Sequence, residues 1–217
     1  MDFLDKELTE YAEAHTTPET DILKEINRET NAKVSYPQML AGHLQGQVLA
    51  MFSKMIKPKQ ILEIGTFTGY SAICLATGLV EDGMLHTIEN NKEIEAMIKQ
   101  YIKKSGFDGK IKLYIGNALD IIPKITRSLS GLDIVYIDAD KINYNNYYDL
   151  VFNKVNSGGF IIADNALWSG KVLTKKGEKI DKDTQALIDF NNNVHSDPQV
   201  ENVLLPIRDG LMVIRKK

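Results

Sequence analysis

Downstream of Pro58 the chain alternates short apolar runs, ILEIG, MLHTIE, IKLYIG, LDIVYID and GGFIIADN, with helix-patterned segments. Runs of this length read as strands, and when helices intervene each crossover returns the chain to the same edge, so the strands must be parallel. One intervening segment is explicit: Asn91 caps it, Ile94, Met97, Ile98, Tyr101 and Ile102 make an inner stripe, and Gly106 ends it. The C-terminus departs from the pattern, because VENVLLPI and GLMVIRKK are separated only by Arg208 and Asp209. That is room for a hairpin and not for a crossover, so the last strand is expected to run antiparallel. Before Pro58, Leu4, Leu8 and Tyr11, then Ile22, Leu23 and Ile26, then Met39, Leu40, Leu44, Val48, Leu49, Phe52 and Met55 recur at helical spacing and predict two or three helices. The expected class is α/β, with a mainly parallel sheet in one domain spanning residues 1–217: a helical segment over 1–57 and a wound core over 58–217.

Composition narrows the partners. With 43% hydrophobic and 25% charged residues the chain can bury a core like that of an ordinary globular protein. A formal net charge of -3 provides no general basic field for a polyanion, although Arg215, Lys216 and Lys217 form a local cluster. The single cysteine, Cys74, sits among Ala72, Ile73, Leu75 and Ala76 and reads as packing. The acidic start, MDFLDKELTEY, is unlike a secretion signal, and no stretch has membrane-spanning length, so a cytoplasmic protein without a membrane partner is expected.

A mainly parallel sheet binds ligands outside the carboxyl ends of its strands. The first such end, ILEIGTFTGYSAICLA, is a strand, a glycine turn and a helix start, with Gly65 and Gly69 allowing tight backbone and Ser71 placed to help cap the helix. Its spacing is not GxGxxG and no Lys follows Gly69, so neither phosphate-binding fingerprint is matched. Glu63 within the strand would repel a pyrophosphate and attract a cationic group; the alternative is a structural acid bonded to backbone. Glu89, ending the second strand, suits a ribose diol, while Ala118 and Asp120 follow the third strand as a candidate adenine edge. Together these features point to an adenosine-bearing ligand without phosphates.

ILEIGTFTGYS, Glu89, GNALDIIP, YIDADKINY and DNALWSG, in this order, resemble the metal-dependent O-methyltransferases of the caffeoyl-CoA and catechol type. The resemblance covers nearly the whole chain from MLAGHLQGQVL onward. It implies a Rossmann-like fold with a seven-stranded sheet and S-adenosylmethionine as methyl donor, its sulfonium being cationic. Carried over by resemblance, Glu63, Gly65, Thr66, Ser71, Glu89, Ala118, Asp138 and Asp140 line the donor site. Ala41 stands where plant members have a Thr near the donor, and Ser169 where they have an Asn near the acceptor. The resemblance also implies a homodimer.

Asp138 ends the fourth strand, and Asp164 and Asn165 end the fifth. Three oxygen donors without His or Cys suit Mg²⁺, Mn²⁺ or Ca²⁺; the competing reading is that all three cap turns and helix starts. Lys141, three residues after Asp138, is placed either as a base or as a solvated partner of Asp138 or Asp140. Burial and a nearby divalent cation both favour the neutral amine a base requires. The expected reaction is methylation of a hydroxyl beside a second oxygen, the metal chelating the pair and Lys141 removing the proton. His43, Trp168 and the Tyr144, Tyr147, Tyr148 group either shape an aromatic acceptor pocket or pack the core, with Trp168 the strongest pocket candidate beside Ser169. The favoured acceptor is a catechol-like small molecule. The alternatives are a hydroxylated uridine in transfer RNA, which the resemblance admits, a nicotinamide oxidoreductase, against which the absent GxGxxG argues, and a non-catalytic donor-binding protein.

Overall fold

Seven strands form one sheet in the order β3-β2-β1-β4-β5-β7-β6. They are β1 (Gln60–Ile64), β2 (Met84–Glu89), β3 (Ile111–Ile115), β4 (Leu132–Ile137), β5 (Val155–Ala163), β6 (Val200–Leu205) and β7 (Leu211–Lys216). The first five are mutually parallel; β7 lies antiparallel to both β5 and β6, as the short Arg208–Asp209 connection requires. The computed structural model describes residues 5–174 and 179–217, so the predicted stripe position Leu4 lies outside the described residues.

Successive strand residues point to opposite faces, and each face carries its own core. Leu62, Ile64, Val135, Ile137 and Ile161 face α6 (Ala118–Ser128), α7 (Tyr144–Phe152) and α8 (Lys182–Ser196). Ile61, Leu85, Ile134, Tyr136 and Ile162 face α2 (Asp21–Lys33), α3 (Gly42–Ile56), α4 (Tyr70–Ala76) and α5 (Glu95–Lys104). The strands carry few polar residues because both faces are covered, the usual condition of a parallel sheet. On α5 the predicted pattern is seen: Asn91 caps the preceding turn through Glu93 N at 2.9 Å, Ile98, Tyr101 and Ile102 are buried, and Gly106 takes φ 77° just past the end.

The helices before Pro58 keep the expected stripe in part, with Leu23, Ile26, Leu40 and Leu49 buried. On α1 (Lys6–Ala14) Leu8 and Tyr11 are exposed, and on α3 Met55 is exposed while Gln45, Gly46, Leu49, Ala50 and Ser53 are buried. The reason is close packing of α3 on α4. A methyl on Gly46 would stand 2.5 Å from a Tyr70 ring carbon, and Ser53 Oγ donates to the Leu75 carbonyl at 2.5 Å. Small and polar residues allow this approach where larger apolar ones would not, so they share the buried face with Leu49 of the expected stripe. Ser71 is also not the cap of α4; that position is Gly69 at φ 91°, and Ser71 lies buried in the first turn. Cys74 is buried in the same contact.

Gly46→Ala is expected to destabilise the protein by about 1–3 kcal/mol by overpacking the α3–α4 contact. Urea unfolding checks this, and an unchanged midpoint would mean that Tyr70 yields freely.

Candidate active site

The crevice follows from register. Ile64 pairs with Ile88 and Ile137, and Ile137 pairs with Ala163. The next residues, Gly65, Glu89, Asp138 and Asp164, therefore emerge side by side at the carboxyl ends of β1, β2, β4 and β5. The ladder holds even these: Gly65 N donates to the Ile88 carbonyl at 3.0 Å, Asp138 N to Ile64 and Asp164 N to Ile137, both at 2.9 Å. Because the crossovers leave in opposite directions on either side of the β1–β4 pair, a crevice of about 1220 Å³ opens there.

On the β1–β2 side Gly65, at φ 99°, passes so close to Asp138 that a side chain would strike its carbonyl oxygen. Glu89 accepts from Phe67 N and Asn91 N, each at 2.7 Å, one on each carboxylate oxygen. Each oxygen keeps a second lone pair, the arrangement needed to receive a vicinal diol. Gly116, Asn117 and Ala118 continue the wall past β3. Behind it, Glu63 stands between Thr87 and Tyr136 in the strand pairing and is fully buried. Its Oε2 accepts from Thr87 Oγ1 at 2.5 Å, while Oε1 has no hydrogen-bond partner among the described residues. Burial pushes the carboxyl up to about 8, against the pull of the Thr87 and Ser71 hydroxyls and with the help of the Asp138 and Glu89 charges. A buried acid with one unsatisfied oxygen behind a glycine turn suits a cationic ligand group.

On the β4–β5 side the oxygen donors gather around one nitrogen. Lys141 Nζ, nearly buried, lies 3.2 Å from Asp138 Oδ1, 2.6 Å from Asn165 Oδ1 and 2.7 Å from the Tyr144 hydroxyl. It also stands over the rings of Tyr144 and Trp168, 4.9 and 5.8 Å from their centroids. Asp164, 4% exposed, is raised above the ordinary carboxylate range by burial and by the Asp138 charge. No cluster of three or more His, Cys, Asp or Glu suited to a metal occurs among the described residues. The candidate set is two carboxylates and an amide oxygen, hard donors appropriate to Mg²⁺ or Mn²⁺, two of which already meet on a single nitrogen.

Of the residues expected at the site, Gly65, Glu89, Ala118, Asp138, Asp140, Lys141, Asp164, Asn165, Trp168 and Ser169 line the crevice. Ala41, Glu63, Thr66 and Ser71 are buried behind the lining, with Thr66 Oγ1 bonded to Thr87 and the Ala41 carbonyl bonded to Arg208. Asp120 is exposed away from it, and His43 is taken by the Thr17 carbonyl at 2.7 Å. Tyr147 reaches the crevice through a 2.5 Å bond to Asp140 Oδ1, whereas Tyr148 bonds Asp197. Sequence reasoning missed three contributors. Tyr144, read chiefly as packing, holds Lys141. Asp209, read as turn chemistry, accepts from Ser169 N and from Asn165 Nδ2, fixing the loop after β5. Gln45, on α3, reaches Asp164; its signal was an amide four residues before Leu49 on a buried helix face.

Seven non-glycine residues among those described have left-handed φ, and six of them, Tyr36, Phe67, Asn165, Trp168, Ser169 and Arg208, line the crevice. Such conformations persist only where surrounding contacts impose them, and their concentration here marks the crevice as the functional site.

The family model described as O-methyltransferase matches residues 12–217. A caffeoyl-CoA O-methyltransferase of Medicago sativa is 34% identical over 205 residues, covering 91% of this chain and 83% of that protein. The crystal structure of an O-methyltransferase from Bacillus cereus in complex with SAH superposes with a TM-score of 0.89 at 26% identity, covering 97% of each chain. TomG of Streptomyces achromogenes, an O-methyltransferase solved with SAM, gives 0.88 at 24% identity over 97% of this chain and 96% of that one, a likeness of fold.

The Glu63 shift has a signed consequence. Between the ordinary Glu value and about 8 the unfolded chain releases a proton that the folded chain keeps, so stability falls as pH rises through that window and levels off above it. Glu63→Gln removes this loss, so its thermal midpoint should rise relative to wild type from about pH 5 to about pH 8. Parallel pH profiles for the two proteins would mean that Glu63 is ionised when buried.

Proposed function

The chain belongs to the O-methyltransferase family as an S-adenosylmethionine-dependent enzyme related to the caffeoyl-CoA O-methyltransferases, and we propose that it methylates one of two adjacent hydroxyls on a catechol-like small molecule with the aid of a divalent cation. S-adenosylmethionine supplies an electrophilic methyl on a sulfonium. The cation, when bound, supplies Lewis acidity and orients neighbouring oxygens. Asp138, Asp164 and Asn165 are the residues that would hold it. The observation that carries this reading is the meeting of Asp138 Oδ1 and Asn165 Oδ1 on the one buried nitrogen of Lys141.

The chain's own groups divide the work. Lys141, as the neutral amine, would receive the acceptor's proton at Nζ, and the Tyr144 hydroxyl fixes that nitrogen at 2.7 Å. Trp168 walls the same end of the crevice with an apolar surface suited to an aromatic ring. Glu89 offers its free lone pairs to a ribose, and Glu63 sets a buried acid behind the donor turn. Catalysis is chiefly positioning, since donor and acceptor share one crevice.

Charge favours a small acceptor over RNA. Glu89, Glu93, Asp138, Asp140, Asp164 and Asp209 line the crevice against Lys33, Lys141 and Arg208. An acid-rich lining attracts a cationic donor and a divalent metal and repels a phosphate backbone. We also propose a homodimer. Leu8 and Tyr11 on α1, and Met51 and Met55 on α3, are more than half exposed at one-turn spacing on two helices in contact. Light scattering is expected to give twice the chain mass; a monomer at micromolar concentration rejects the pairing.

Lys141→Ala is expected to lower kcat by about 10²- to 10⁴-fold with S-adenosylhomocysteine affinity unchanged. An undiminished kcat would exclude Lys141 as the base. Methyl transfer to vicinal diphenols should cease in excess chelator and return with Mg²⁺. Full activity under chelation would exclude the metal, and transfer only to transfer RNA containing 5-hydroxyuridine would replace the acceptor.

A further inference from the structure

We infer that Gln45 is a positioning residue for the metal-binding carboxylate of Asp164, through which the N-terminal helical segment sets the oxygen that Asp164 presents. The inference rests on the metal reading above. Asp164 Oδ2 accepts from Gln45 Nε2 at 2.5 Å and from the Tyr136 hydroxyl at 3.1 Å, and Gln45 Nε2 also donates to that hydroxyl at 3.1 Å. The three groups close a ring in which both amide hydrogens of Gln45 are used. Gln45 is 1% exposed and Tyr136 is fully buried, so water does not compete.

The lone pairs can be counted. Oδ2 has two, and both are taken. Oδ1 accepts from Asn165 N at 2.6 Å, which leaves one. Asp164 therefore offers a cation a single oxygen, Oδ1, in one orientation. Gln45 reaches the wall of the crevice, but both its amide hydrogens are held by Asp164 and Tyr136, so it acts by stopping that carboxylate from turning. Outer contacts of this kind typically change metal affinity by about 10- to 100-fold when removed. Gln45 belongs to α3, 119 positions before Asp164 and outside the wound core, so the metal donors depend on a segment that supplies none of them.

The test uses the full-length protein and Mn²⁺ as probe, with free Mn²⁺ read by electron paramagnetic resonance. Affinity for S-adenosylhomocysteine is measured without metal as the control. Gln45→Met keeps the length of the side chain and removes both donors. It should weaken Mn²⁺ about 10- to 100-fold while S-adenosylhomocysteine affinity stays within about twofold. Tyr136→Phe, which deletes one hydroxyl of the same ring, should weaken Mn²⁺ by a smaller factor, and it serves as the test if Gln45→Met does not fold. Wild-type Mn²⁺ affinity in the variant tested overturns the positioning role. Equal loss of Mn²⁺ and S-adenosylhomocysteine binding overturns it too, as a general structural effect. Absence of Mn²⁺ binding by wild type is a separate result that overturns the metal reading and this inference with it.

Discussion

Main-chain hydrogen bonding between parallel strands is the constraint on which the site depends. The ladder runs one residue past the strands, so the amides of Gly65, Asp138 and Asp164 are themselves bonded to neighbouring strands. Side chains that meet a ligand are thereby attached to the most rigid part of the molecule. A register slip of one residue would turn Asp138 and Asp164 to the opposite faces, and it would exchange Val135 and Ile137 in one core with Ile134 and Tyr136 in the other, side chains whose shapes are not interchangeable in close-packed surroundings. The core thus holds the chemistry in place through its packing.

Two acids are buried where an acid is expensive. Glu63 has one oxygen without a partner among the described residues, and Asp164 is covered by an amide and a phenol drawn from opposite sides of the β4–α3 contact. A chain selected for stability alone would place apolar residues here, since burying a carboxylate costs several kcal/mol unless it is paired. Their retention is intelligible if cationic partners complete them. The two acids also differ in kind: Glu63 waits behind the donor turn, while Asp164 is already locked in a hydrogen-bonded ring.

Much of this was legible in the sequence, for identifiable reasons. Strand ends are marked where an apolar run meets an acid, so Glu89, Asp138, Asp164 and Asn165 could be placed from pattern alone. Short spacing at Arg208–Asp209 dictated the antiparallel strand. What was not legible depends on contacts between distant segments. The inner face of α3 sets Gln45, Gly46, Ala50 and Ser53 beside Leu49, and only their spacing from that leucine separates them from a solvated face. The partnership of Gln45 with Asp164 joins two stretches that share no local signal. Ser71 was misread because serine near a helix start suggests a cap, whereas Gly69 already occupied that place.

The left-handed residues around the crevice carry a consequence for how such a site changes over generations. At Trp168 and Ser169 the backbone is held by neighbours such as Asp209, so one ordinary side chain is about as strained there as another, and the residue's identity is free to follow the acceptor. Gly65 allows no such freedom, because a side chain there strikes the Asp138 carbonyl. The wall at Trp168 and Ser169 can therefore drift one residue at a time while the turn at Gly65 stays fixed, so one end of the crevice can change shape without disturbing the other.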